Sequence, residues 1–479
     1  MRPPLISEIA LTKPQTSFEK IWAAHVIEQL EDGSDLLWID RHLVNEGTSV
    51  QAFIELEERG LPVARPTMNL SVADHFPPTR GRHDPLKPGW GRDLIFGLRD
   101  ASQRAGVPHI DYLANDQGIC HVIGPELGFV LPGMIAVCGD SHTSTLGALG
   151  AIAFGIGTSE LTHVLATGTL VSRMPKSMAV ELSGQLATGV TAKDLILAII
   201  GEIGTAGGTG HAIEYRGEAV GALEIEGRLT LCNMTIEAGA RSGLVAPDEK
   251  TYAYLRGRPM APEGAEWDRA EAWWRSLPSD PDARFDRIIH IDAGGIAPQV
   301  TWGTSPQDVA PVDGKIPDPT SFADPKRREA ATRALAYQGL MPGMKMSDIR
   351  IDQVFVGSCT NSRLSDLQDA ARLIRGRKLA EGVTGFISPG STRVKQRAEA
   401  EGLDVLFREA GFEWRDSACS MCCGIDTAPP GTRVAATSNR NFENRQGREV
   451  RTHLVGPAMA VAAGLAGHFV DIRKELADA

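Results

Sequence analysis

The sequence has no run of roughly 18 uncharged apolar residues, so it offers no candidate transmembrane helix. Its opening segment, MRPPLISEIALTKPQ, carries Pro, Glu and Lys and lacks the apolar stretch of a signal peptide. The chain therefore reads as cytoplasmic, with residues 1–15 as an N-terminal extension. An excess of positive charge is missing too: 60 Asp and Glu stand against 49 Lys and Arg. That balance argues against a nucleic-acid partner and against an anionic membrane surface. A disulfide framework is not expected, because the seven cysteines are odd in number, the chain is long and no secretion signal precedes them. Neither G-x-G-x-x-G nor a P-loop occurs, so the glycine-rich stretches 147–157 and 204–210 read as close packing of strands and helices. No internal repeat and no long low-complexity tract is visible.

What is present is the composition of an ordinary globular protein, 42 % apolar and 23 % charged over 479 residues. At roughly 150 residues per domain this length suggests about three domains. The segments DLLWID, MIAVCG, RIIHID and QVFVGS read as buried strands that end in polar or glycine turns, and residues 327–339 as a helix that Gly339 ends. Strands alternating with helices imply an α/β architecture with mainly parallel sheets. Residues 258–286, with Trp267, Trp273 and Trp274, read as a surface insertion whose tryptophans cover a neighbouring face. The Pro-rich stretch 314–325 marks a boundary.

Three sets of residues could carry chemistry. Cys419 and Cys422 form a C-x-x-C in CSMC, and Cys359 follows the strand QVFVGS, where the end of an α/β strand commonly opens into a site. Three thiolates suit an iron–sulfur cluster with one iron free of protein ligands; a redox pair or half of a zinc site is also compatible with the spacing, although no second C-x-x-C or H-x3-H is present. Asp74 beside His75, and Asp140 two residues before His142, set carboxylates next to imidazoles in turn-like contexts, with His121 and Glu237 as further candidates. A carboxylate fixes the tautomer of a histidine and raises its basicity. Finally, NRNFENR places Arg440 and Arg445 five residues apart, two forked donors for carboxylates.

The segments IDRHLV, ADHFPPT, QGICHVIGPE, GDSHTST, FGIGTSE, CNMTIEAGA, GSCTNSR, CSMC and TSNRNFENRQG, in this order from about Thr16 to Arg473, resemble the aconitase superfamily. Within it, IDRHLV, TAGGTGHAIEYRG and RTHLVGPAMA resemble the large-subunit branch of the bacterial isopropylmalate dehydratases. The resemblance implies three α/β/α domains around a [4Fe–4S] cluster, with boundaries expected at 16–175, 176–315 and 316–479. It implies cluster ligation by Cys359, Cys419 and Cys422, and protonation of a leaving hydroxyl by the Asp74–His75 pair. Asp140 with His121 and Glu237 with His142 match further acid–imidazole pairs. Asn233 and Asn439 match polar positions near cluster and substrate, and Arg440 and Arg445 match carboxylate anchors. The family's swivelling fourth domain and its serine motif GSSRE are not found in the sequence, which implies a separate small subunit that carries the base. The implied substrate is an alkylmalate and the implied setting leucine biosynthesis. One segment departs from the pattern: HEVTSPQAF is replaced by Asn45, Glu46, Gly47, Thr48, Ser49, Val50, Gln51, Ala52 and Phe53. A second departure is Cys423, where an apolar residue is usual. These changes leave a paralogue acting on another alkylmalate, of dimethylmalate, methylmalate or homoaconitate type, as the alternative. A cluster-free RNA-binding iron sensor is a further alternative, which the acidic balance disfavours.

Overall fold

In the computed structural model of the chain, residues 13–477 are described; residues 1–12 of the expected N-terminal extension lie outside them. Three parallel sheets follow one another along the chain. The first contains β1 (Arg41–Asn45), β2 (Asn69–Val72), β3 (His109–Ile110), β4 (Ile135–Cys138) and β5 (Ile152–Gly155), in the spatial order β3-β2-β1-β4-β5. The second contains β6 (Lys176–Ser183), β7 (His211–Arg216), β8 (Ser242–Leu244) and β9 (Arg287–Asp292), in the order β8-β7-β6-β9. The third contains β10 (Gln353–Val356), β11 (Thr384–Ile387), β12 (Glu413–Trp414), β13 (Arg433–Ala436) and β14 (Arg451–Leu454), in the order β12-β11-β10-β13-β14. Each sheet winds outward from its first strand, reverses, and adds its fourth strand on the other side. The winding is shared by all three sheets, although no repeat is visible in the sequence. Where the order reverses, loops at the carboxyl ends of neighbouring strands part and leave a crevice.

The expected α/β class with mainly parallel sheets is the observed one. MIAVCG and QVFVGS form the buried strands β4 and β10, as their unbroken apolar runs require when helices cover both faces. RIIHID departs from expectation: β9 is an edge strand with Ile288 half exposed, because only β6 lies beside it. DLLWID also departs, since Asp35–Trp38 joins an antiparallel three-stranded sheet with Val26–Gln29 and Thr169–Ser172. The helix Pro325–Gln338 starts on an Asp324 cap with Pro325 in its first turn and stops at Gly339, whose φ of 62° is left-handed. Trp267 and Trp274 are buried in the core that the first two sheets share, and Trp273 is more open. Close packing accounts for the glycines near 147: a Cβ on Gly147 would sit 1.7 Å from the Gly243 carbonyl oxygen. Among the described residues no helix is long and apolar enough to cross a membrane.

Candidate active site

The first sheet supplies carboxylates and imidazoles from loops beyond its strand ends. Asp74 and His75 follow β2, Asp140 follows β4, and His121 lies in the first turn of the helix Cys120–Leu127. Asp74 Oδ1 is 2.7 Å from His75 Nδ1, and His75 Nε2 is 3.4 Å from Asp140 Oδ2. Asp140 Oδ1 lies 3.2 Å from His121 Nε2 and 3.4 Å from His142 Nδ1, and accepts the His142 backbone N–H at 2.7 Å. His142 Nε2 meets Glu237 Oε1 at 3.0 Å. Glu237 comes from the turn Met234–Ala238, between β7 and β8 of the second sheet, and the same oxygen accepts from Arg440 Nε at 2.7 Å. The result is one continuous chain of alternating acid and base, from Asp74 to Arg440.

The electrostatics follow from that alternation. Burial opposes the charge on His75, but the Asp74 carboxylate and the hydrogen bond to Asp140 outweigh it, and the imidazole is held protonated well above its ordinary range. Burial would raise Asp140; the close imidazoles of His121, His142 and His75 overcome it and hold the carboxyl well below its usual value. His142 is raised by the same logic against its burial, with Asp140 and Glu237 as its partners. Asp140 is thus the hub, a carboxylate shared by three imidazoles.

Two residues that position this site were not singled out from the sequence. The Glu46 carboxylate accepts the backbone N–H groups of Asp74 at 3.0 Å, and of His75 and Phe76 at 2.8 Å each. Burial, then the neighbouring Asp74 charge, pushes its carboxyl up to about 7. It fixes the loop that carries the Asp74–His75 pair. Lys193, fully buried, donates to the carbonyls of Ser438 at 2.7 Å and Thr437 at 2.9 Å, and so anchors the approach to Asn439 and Arg440; burial lowers it to about 7. The one signal in sequence was a lysine inside the apolar helix AKDLILAIIGEI.

The third sheet supplies sulfur and guanidinium. Cys359 follows β10, Cys419 and Cys422 follow β12, and the segment from Asn439 to Arg445 follows β13. Ser358, Ser420 and Asn444 adopt left-handed backbone, at φ of 77°, 54° and 64°, each beside a candidate site residue. Such conformations are unfavourable for non-glycine residues and persist where surrounding structure imposes them. Cys359, Cys419 and Cys422 are buried, and all seven cysteines are free thiols. Asn233 and Asn439 aim their Nδ2 groups at Cys359 Sγ, at 3.2 and 3.5 Å, and the Cys422 thiol donates to Asn439 Oδ1 at 3.3 Å. Cys423 packs against the cluster of Ile119, Val122, Cys359 and Cys419, with its thiol donating to the Ser420 carbonyl. The Cys419 backbone N–H donates to the Asp74 carbonyl at 2.9 Å, which joins the thiol region to the acid–imidazole region.

The two arginines are in different states. Arg440 is committed to Glu237 and to Ser141 Oγ at 2.9 Å. Arg445 makes no side-chain hydrogen bond or ion pair among the described residues, and its Nε is buried without a partner. A half-buried guanidinium whose buried Nε has no acceptor suits an anionic ligand.

The thiol set fits an iron–sulfur cluster. Among the described residues, the groups whose ligand atoms all lie within 4.8 Å of one another, close enough for a single ion, are Cys120–His121–Cys138 and Asp74–His75–Cys419. Cys359, Cys419 and Cys422 are spread more widely, as a polynuclear centre requires, and amide donors aimed at a ligating sulfur are a usual means of tuning such centres.

Three sheets wound alike, with buried thiols close to an acid–imidazole chain, define an α/β protein whose candidate site gathers loops from all three sheets. The aconitase family (aconitate hydratase) matches residues 19–467, and the chain belongs to that family. Its members are hydro-lyases that usually bind a [4Fe–4S] cluster. Aconitase X of Thermococcus kodakaraensis, solved in its holo-form, is a similar structure: it is 14 % identical, covers 97 % of this chain and 95 % of its own, and superposes with a TM-score of 0.47.

Proposed function

We propose that this chain is the cluster-bearing subunit of an isopropylmalate dehydratase of leucine biosynthesis, interconverting 2-isopropylmalate and 3-isopropylmalate by loss and re-addition of water. The observation that carries the reading is the Asp74–His75–Asp140–His142–Glu237 chain, joined through Asp74 to the loop of Cys419. Hydroxide is a poor leaving group, and a protonated His75 between two carboxylates is a ready donor to a departing hydroxyl. Arg445, uncommitted, takes a substrate carboxylate; Arg440, oriented by Glu237, takes the other. Cys359, Cys419 and Cys422 hold the [4Fe–4S] cluster, which when bound supplies a Lewis-acidic iron to the substrate's oxygen atoms. The second chain supplies the base that removes the proton next to the carboxylate. The side chains of His75 and Asp140 are 19 % and 20 % exposed, so the site has an open side for that chain to cover.

A second reading, another alkylmalate as substrate, has a specific observation in its favour. A Cβ added at Gly47 would sit 3.7 Å from His75 Cγ, in ordinary contact, so the glycine leaves free space beside the proton donor where the related enzymes carry a valine. The test is anaerobic reconstitution with iron, sulfide and candidate small subunits, followed by rates on isopropyl-, methyl- and dimethyl-substituted malates. Turnover only with a partner, and fastest on the isopropyl compound, supports the first reading. A hundredfold preference for another malate selects the second, and full activity of the isolated chain removes the two-subunit proposal.

A further inference from the structure

We propose that Cys120, His121 and Cys138 form a second metal site, for a single thiophilic d10 ion, zinc or cuprous copper, separate from the Cys359, Cys419 and Cys422 thiols. Cys120 opens the helix Cys120–Leu127 and Cys138 ends β4, so two parts of the first domain region converge on the site. The three ligand atoms lie within 4.8 Å of one another. Cys120 Sγ is 3.6 Å from His121 Nδ1. A tetrahedral ion with bonds of about 2.3 Å to sulfur and about 2.0 Å to nitrogen sets those two atoms about 3.5 Å apart, so that edge of the site is already at the right length.

The surroundings match what a histidine metal ligand needs. His121 Nε2 lies 3.2 Å from Asp140 Oδ1, although the angle between them is too poor for a full hydrogen bond, and the nitrogen is buried without another partner. With Nδ1 on a metal, the proton must reside on Nε2, and the carboxylate is there to receive its hydrogen bond. Asn45 Nδ2 stands 3.7 Å from Cys138 Sγ, a donor to a second ligating atom. Cys120 and Cys138 are fully buried beside Leu43, Leu70, Val72 and Ile123. Two sulfurs and one imidazole in a dry shell select soft ions over magnesium, calcium or manganese. Asp140, beside His121, is the partly exposed neighbour of the site, with a side chain 20 % exposed. Binding displaces the two thiol protons to solvent, and it fixes the tautomer of His121 at the hub of the acid–imidazole chain.

The test uses the full-length chain with Cys359, Cys419 and Cys422 changed to alanine, so that the cluster thiols cannot bind. The protein is loaded anaerobically with zinc in one arm and with chelator-buffered Cu(I) in the other, and retained metal is counted after gel filtration. One ion per chain is expected in at least one arm, and the arm that retains it identifies the ion. Loss of an outer partner alone costs about 10–100-fold in metal affinity, so C120A and C138A on this background are expected to weaken binding by more than about 100-fold. No retention of either ion, or unchanged affinity in both variants, overturns the proposal. Circular dichroism and a cooperative melt check the fold. Should the triple variant not fold, X-ray absorption at the zinc or copper edge of the loaded wild-type chain decides: two sulfurs and one nitrogen support the site, while all-sulfur ligation or no bound ion overturns it. Neither readout depends on which reaction the chain catalyses.

Discussion

The first and third sheets have the same five-strand order, yet they bring opposite chemistry to the site. Loops beyond β2 and β4 present carboxylates and imidazoles, each already paired with another. Loops beyond β10, β12 and β13 present free thiols met by amide groups, and Arg445, whose Nε has no partner. The difference teaches that winding decides only where side chains are delivered. The first sheet builds a charge network that is complete without a ligand. The third holds buried thiols and an uncommitted guanidinium, the groups that the proposed cluster and substrate would engage.

That division is open to direct attack. Cys359→Ser should abolish turnover and lower bound iron by more than half after anaerobic reconstitution, with the acid–imidazole half still folded; full iron content in the variant would break the comparison at its sulfur end. Cys423→Ser on the same test should retain its iron. Asp140→Asn should do the reverse of Cys359→Ser, leaving iron and sulfide unchanged while kcat falls by about 10³-fold, within the range general acid–base groups contribute. A fall of less than tenfold would mean that the hub carboxylate is structural. Arg445→Lys keeps the charge and loses the fork, and should raise KM or lower kcat by a total of about 100-fold in kcat/KM. Arg440→Lys should cost less, because lysine can still reach Glu237; equal losses would erase the distinction between a committed and a free guanidinium.

The smallest effect concerns stability. Each five-stranded sheet buries a neutral histidine: His42 on β1, lowered to about 4 by burial, and His453 on β14, lowered to about 3 by burial and then by Arg433. Both fold neutral and titrate near 6.5 when unfolded, so protons favour the unfolded chain. Their stabilising effect is full above pH 6.5 and is lost as pH falls from 6.5 to about 4 for His42 and to about 3 for His453. At pH 5 the loss is about 2 kcal/mol for each histidine. His42→Asn should flatten the decline of the melting temperature between pH 7 and pH 5, and a decline as steep as in the wild type would rule this cause out.

Much of this was legible in the sequence because it is local. Unbroken apolar runs marked β4 and β10, Gly339 marked the end of a helix, and DH and DSH set carboxylates next to imidazoles in consecutive residues. The segments that misled were those whose fate depends on neighbours. RIIHID carries the same apolar run as a buried strand and is an edge strand only because the second sheet stops after β9. Glu46 looked unremarkable, since its three N–H partners lie 28 to 30 residues away.

By itself the sequence determined the class of fold, the family, and the kinds of side chain at the site, because periodicity and short motifs are written in consecutive residues. Only the tertiary structure decided that three unlike segments share one winding, that Asp140 serves three imidazoles, that Glu237 engages Arg440 and leaves Arg445 free, and that Cys120 and Cys138 meet beside His121. Those facts rest on contacts between residues far apart in sequence, such as the 203 positions that separate Glu237 from Arg440. Sheet pairing brings such residues together only after the loops have closed, so no stretch of neighbouring residues encodes the outcome.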